Sequence, residues 1–227
     1  MGGQMTTVGV SVTSPAVASG TGTNGTRWAA LSGILFAALL IPGVLMTSGS
    51  PGTSASAAKI QSWYLAHKSL MGTSTLVTLL SVIVGLFFLS HVRSCFRRYE
   101  GTGRMTSLFW AGVIIFAMSG AVGAGINSTF ADNPGALSPG SLQLLNALAS
   151  NLNYPATCIG LAVMFLGAGL VIRKSRVLPQ WLAWVSWVLA VVAASFFLGW
   201  IALLGAGLWV IVVAIMLAVR NPAPEGI

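Results

Sequence analysis

The stretch Thr73–Val92, TSTLVTLLSVIVGLFFLSHV, decides how the rest of the chain is read, because its 20 residues contain no Asp, Glu, Lys or Arg. An α-helix needs about 20 predominantly apolar residues to cross a hydrocarbon core ~30 Å thick. Five more uncharged apolar stretches flank it, at 28–47, 106–130, 153–172, 180–198 and 203–219. Hydrophobic residues make up 56% of the chain and charged ones 6%, against about 25% charged in a soluble globular domain. The expected fold is all-α, a polytopic membrane helix bundle of six transmembrane helices.

Charge placement sets the expected orientation. Arg27, Arg93, Arg97, Arg98, Arg104, Arg173, Lys174, Arg176 and Arg220 fall in connections on one side of the six stretches, while Lys59 and Lys68 fall on the other. Basic residues in short loops concentrate on the cytoplasmic side, so both termini are expected inside, in a multi-pass protein of the plasma membrane. The net charge of +8 therefore reports topology and contact with membrane lipids, not nucleic-acid binding. The tryptophans agree: Trp28, Trp110, Trp181 and Trp184 fall at one set of span ends, and Trp63 and Trp200 at the other, as an interfacial belt requires.

The expected organisation is a disordered cytoplasmic tail over 1–26, a six-helix transmembrane domain over 27–220, and a short tail over 221–227. Residues 56–72 and 141–152 continue a helical pattern beyond the spans, with Ser54 or Ser56 and Ser138 as start signals. They are expected to form a small outer cap. Residues 181–219 run on without a polar loop, and ~58 Å of single helix is twice a membrane. The Gly199, Gly205 and Gly207 cluster places the expected break near 198–207.

Polar residues inside the spans fall on helical stripes. Gln143, Asn146, Ser150, Asn153 and Thr157 follow one face, as do Ser74, Thr78, Ser81 and Gly85, and Ser119, Gly123 and Asn127. Two readings stay open. Small residues and hydroxyls let membrane helices approach and bond to one another; alternatively, the stripes line a vestibule that opens outward. On the second reading Gln143, Asn146, Ser150, Asn153, Asn127 and Thr73 are the candidate ligand-binding residues, with a small amphiphilic molecule as partner.

Other chemistry finds little support. His67 and His91 are 24 residues, ~36 Å of helix, apart; the acids Glu100, Asp132 and Glu225 are scattered. No metal site, catalytic set or cofactor is expected, and the chain reads as non-enzymatic. Glu100 and Arg104 are spaced to pair if the helix continues through them. The alternative function is a structural or accessory subunit docking a membrane-protein partner.

Trp63-x-x-x-His67 before the second span, Arg93-x-x-x-Arg97-Arg98 after it, and Leu178-Pro179-x-Trp181-Leu182 opening the fifth carry a resemblance across about residues 27–220. The pattern resembles a loose group of uncharacterised six-helix integral membrane proteins of bacteria, actinobacterial in type. The resemblance implies the fold and a bacterial plasma-membrane setting, and no activity.

Overall fold

A computed structural model describes residues 22–132 and 135–219, with side chains undescribed at 22–27, 29, 30 and 131. Most of the expected N-terminal tail, the tail over 221–227, Arg220, Asn133 and Pro134 lie outside the described residues. The described chain is all-helical: α1 Gly22–Thr47, α2 Ala57–Ala66, α3 Lys68–Glu100, α4 Arg104–Asp132, α5 Pro139–Leu148, a π-turn Ala149–Asn153, α6 Tyr154–Ser175, α7 Gln180–Ala194 and α8 Gly199–Val219. Four helical stretches are long and apolar enough to cross a bilayer: Lys68–Glu100, Arg104–Phe130, the continuous Pro139–Ser175 and Gly199–Val219. Leu31–Thr47 and Gln180–Ala194 are apolar but shorter.

Six apolar helices close a ring in chain order, α1–α3–α4–α6–α7–α8, with α8 packing back on α1. Paired contacts show every neighbour to be antiparallel. Gly33 meets Phe88 and Ala214, Gly85 meets Phe36, and Gly207 meets Ile41; Gly160 meets Phe116, Gly167 meets Phe109, and Gly205 meets Leu189. Antiparallel order gathers Arg93, Arg97, Arg98, Arg104, Arg173, Lys174 and Arg176 at one end, the basic end, where Arg93 lies over Trp110 at 4.8 Å. Lys59 and Lys68 sit at the opposite end beside α2 and α5.

The surface is more apolar than a water-facing one would be. On α3 the outward stripe is Leu76, Leu80, Ile83 and Phe87, each 52–66% exposed, while Ser74, Ser81 and Gly85 turn inward. Trp184, Val188 and Val191 on α7 and Leu208 and Ile215 on α8 continue it. Contiguous apolar surface on this scale is a membrane-facing surface. The chain is a membrane-embedded helix bundle.

Inside, the tightest seam joins α4 to α6. A Cβ at Gly112 would strike the Met164 backbone, one at Gly160 would come within 2.6 Å of Phe116 N, and one at Gly167 would strike the Phe109 backbone. Around this seam pack Phe88, Phe96, Phe109, Phe165 and Trp209, and Trp209 Nε1 donates to Ser186 Oγ at 3.0 Å across the α7–α8 contact.

Helices α2 and α5 pack on each other as a small cap at the end of the ring opposite the basic residues. Ser56 caps α2, its Oγ accepting from Lys59 N at 3.4 Å, and Ser138 caps α5 through Ser141 N at 3.2 Å. The helix breaks at His67, so 68–72 belong to α3 and not to the cap. Ile60, Tyr64, Met71, Phe130 and Leu142 make a second small core, in which Tyr64 stacks on Phe130 at 4.1 Å. Burial pushes the Tyr64 hydroxyl up to about 12.

Two expectations are corrected. The break between the last two helices is at Ser195–Leu198, where Phe196 takes φ 54° and Ser195 Oγ accepts from Leu198 N at 3.4 Å. Gly199, Gly205 and Gly207 lie within α8, serving close approach to Cys158, Leu189 and Ile41 instead of a turn. Glu100 does not pair with Arg104 along a continuing helix, because α3 ends at Gly101, φ 79°. Its carboxylate instead caps α4, accepting from Met105 N at 2.8 Å, Thr106 N at 2.7 Å and Thr106 Oγ1 at 2.6 Å.

Burial alone would raise the Glu100 carboxyl, but the hydrogen bonds, led by Thr106, hold it below its ordinary value. A lowered folded value means that this contribution is complete above the unfolded value and is lost as pH falls through the folded one. Glu100→Ala is expected to cost about 1–3 kcal/mol, read as a lower thermal midpoint in detergent at pH 7. Wild type and variant should converge as the buffer is taken below pH ~4.

At the α4–α6 seam, Gly112→Ala should be among the most damaging single changes. Backbone, not a movable side chain, would meet the new methyl, and overpacking of this kind costs up to about 3 kcal/mol. Gly120→Ala, whose Cβ would meet only Val82 Cγ2 at 3.0 Å, should stay within about 1 kcal/mol. Midpoints of the two variants check the contrast.

Candidate functional site

Beyond Phe116 and Thr157 the ring encloses a cavity of about 760 Å³ beneath the cap. Its two sides differ chemically. Helices α3, α4 and α6 with the π-turn supply Thr78, Ser81, Ser119, Asn127, Ser150, Asn153 and Thr157; helices α1 and α8 supply Leu39, Leu40, Val44, Leu45, Leu203 and Leu204, with Thr47, Ser48 and Ser50 at the cap-side end of α1. Tyr64 and Asn146 close it from the cap. No Asp, Glu, Lys, Arg or His is among the lining residues.

Each polar residue arrives by its helix register. On α3, Thr78 and Ser81 face inward from the stripe opposite Leu76, Leu80 and Ile83. On α4, Ser119, Gly123 and Asn127 stand four apart on the inner face. The Ser119 hydroxyl donates to Ile115 O at 2.9 Å, which leaves it an acceptor toward the cavity. A Cβ at Gly123 would lie 2.8 Å from Asn153 Nδ2, so the missing side chain is what lets the Asn153 amide rest there. Asn153 O accepts from Thr157 Oγ1 at 3.0 Å.

The π-turn Ala149–Asn153 lies just before Pro155. Pro155 stands in the first turn of α6, where its missing N–H is tolerated, and just before it Tyr154 N bonds to Ala149 O, five back. The extra residue in this turn shifts the helix register by about 100°. Asn146, before it, turns into the cap and donates from Nδ2 to Gly52 O at 3.1 Å. Ser150 and Asn153, in it, turn to the cavity.

The structure thus brings four of the six candidate residues, Asn127, Asn146, Ser150 and Asn153, to one cavity, and leaves two outside. Gln143 is exposed, about 100° round α5 from the buried Leu142. Thr73 is exposed too, its Oγ1 donating to Ser69 O at 3.0 Å; the inward register of α3 begins one residue later, at Ser74. Sequence reasoning named Thr78, Ser81, Ser119, Gly123 and Thr157 as stripe members without assigning them to the site. It missed Tyr64, Tyr154 and the leucine wall, whose membership depends on the ring closing α8 against α1.

Among the described residues no group of three His, Cys, Asp or Glu is placed to hold a metal ion. His91 Nε2 and Cys95 Sγ lie 3.7 Å apart near the basic end, away from the cavity. No protein-family model matches the chain, and comparisons with curated proteins and with solved structures found no match.

The division of labour along the stripe has a measurable consequence. Asn146→Leu should lower the thermal midpoint, costing about 1–3 kcal/mol, because Gly52 O loses its donor. Asn153→Leu, which removes an amide that faces the cavity without a hydrogen-bond partner, should leave the midpoint nearly unchanged. Equal losses at both positions would mean that the whole stripe is packing.

Proposed function

We propose that this protein is a non-enzymatic, six-span plasma-membrane protein of a bacterium, with both termini in the cytoplasm, that binds or passes a small neutral or amphiphilic molecule from the outer side. The single observation that carries the reading is the cavity of about 760 Å³ under the cap with one polar and one leucine wall. Its size falls in the range of about 300–1,000 Å³ typical of small-molecule sites. An accessory subunit held together by its helix faces has no use for such a space. The orientation rests on the basic end facing the cytoplasm, which puts the cap and cavity outside. α1 and α7 complete the six crossings, the short α7 being extended by the turn at 195–198.

An uncharged lining suits an uncharged guest, since a charge taken out of water without a partner is strongly disfavoured. It also gives voltage or a proton gradient no fixed charge to act on inside the spans, so passage of the guest would be facilitated diffusion.

One labelling experiment tests orientation, access and binding together. In a Cys95→Ala/Cys158→Ala background, single cysteines go in as Lys59→Cys, Arg98→Cys and Ser150→Cys. An impermeant thiol reagent added to intact cells should label positions 59 and 150 but not 98, and a neutral amphiphile should slow labelling at 150 alone. Labelling at 98 but not 59 would overturn the orientation. Labelling at 150 that no neutral compound slows would overturn the binding role.

A further inference from the structure

We infer that the guest is a neutral amphiphile with a single hydrocarbon chain and a hydroxyl-bearing head group, taken sideways from the leaflet at the cap end through the α1–α8 seam. This rests on the proposed function and gives its cavity a ligand class and a route.

Ser81 points to the head group. It is 2% exposed, it lines the cavity floor, and its hydroxyl has no hydrogen-bond partner. Buried polar groups are nearly always paired, and Ser81 stands at the cavity edge with its hydroxyl unpaired, so turning that hydroxyl into the cavity lets a ligand atom complete it. Ser74, also buried and unpartnered, is not among the lining residues and plays no part. Near Ser81 the floor offers Thr78 one turn away and the acceptor side of Ser119. A group that both donates and accepts, as an alcohol does, satisfies this set. A carboxylate or an ammonium would be desolvated with no counter-charge.

The chain and the route follow from the other wall. Leu39, Leu40, Val44, Leu203 and Leu204 face the polar side across the cavity. The seam between α1 and α8 is tight at Gly33 against Ala214 and at Gly207 against Ile41, where an added Cβ would find neighbours at 2.9 and 3.2 Å. Nearer the cap the cavity reaches the outer surface of the same two helices. Leu45 and Trp200 line it and are still 57% and 54% exposed. On a membrane protein that surface meets lipid. At about 760 Å³ the cavity lies in the range of about 300–1,000 Å³ that holds a drug-sized ligand. That matches one chain with a small head better than a two-chain phospholipid.

The test uses the full chain in phosphatidylcholine nanodiscs and follows tryptophan quenching. The probes are a brominated-chain monoglyceride, the fatty acid and the quaternary ammonium of the same chain, and a water-soluble brominated diol. The monoglyceride should give a saturable component that disappears in Trp200→Phe. Ser81→Ala should weaken it roughly 3- to 10-fold, the loss of one net hydrogen bond, while raising the ligand-free thermal midpoint by removing an unsatisfied buried hydroxyl. Ser81→Ala that lowers the midpoint and leaves affinity unchanged would overturn the head-group assignment. Charged-chain probes that saturate as well as the monoglyceride would overturn the neutral class but leave the binding role standing. Saturation by the diol and not by the monoglyceride would overturn the lateral route, again with the binding role intact. Absence of saturable quenching by every probe would sink both readings.

Discussion

Helices α4 and α6 meet backbone against backbone at Gly112, Gly160 and Gly167, and the shape of the bundle depends on that contact. Inside a bilayer the lipid tails are as apolar as the helix faces, so association relies on close van der Waals approach instead of burial from water. Three glycines bring two helices as near as they can come, and only over the half of each helix toward the basic end. Past Phe116 and Thr157 the glycine contact is replaced by a side chain, Asn153 lying over Gly123. The same pair of helices is therefore locked at one end and held apart at the other. The cavity occupies the part that is held apart.

Electrostatics divides the molecule along the same axis. Arg93, Arg97, Arg98, Arg104, Arg173, Lys174 and Arg176 stand at the end where the helices are locked, outside the apolar core; Lys59 and Lys68 stand at the cavity end, whose lining carries no charge. Glu100 is the one acid buried among the described residues, and its oxygens are taken up by the first turn of α4. A carboxylate at a helix N-terminus is well placed against the helix dipole. It is thereby withdrawn from both ion pairing and chemistry. Among the described residues the fold keeps its one buried charge for architecture and presents neutral groups to its interior space.

How much of this was legible depends on whether a feature is local. The uncharged stretches and the stripes on α3 and α4 come from the 3.6-residue period, so Ser81, Ser119 and Asn127 fell on inner faces as their spacing implied. The α7–α8 break was not legible, because it turns on Phe196 adopting a left-handed backbone, which an aromatic side chain does not advertise; the nearby glycines are the better sequence signal and serve packing instead. Gln143 and Thr73 were misplaced for a related reason. Each lies within 100° of the correct stripe, and only packing against α2 or α4 decides which edge of a stripe is covered.

The stripe on α5–α6 shows a second limit, and also what the local structure achieves there. A continuous α-helix would keep Asn146, Ser150 and Asn153 on one face with one role. The π-turn just before Pro155 breaks that continuity and adds a residue to the turn. Asn146 is then free to hold the 50–54 loop through Gly52 while Asn153 stays on Gly123 at the cavity wall. A polar group in a membrane protein is costly unless it finds a partner or water. All three residues still line the cavity, but only the Asn146 amide is tied to the loop, through Gly52 O, while the Asn153 amide rests on Gly123. π-turns are rare and cluster at functional sites; in this chain the physical reason is that one insertion lets a single helix both close the cap and line the space below it.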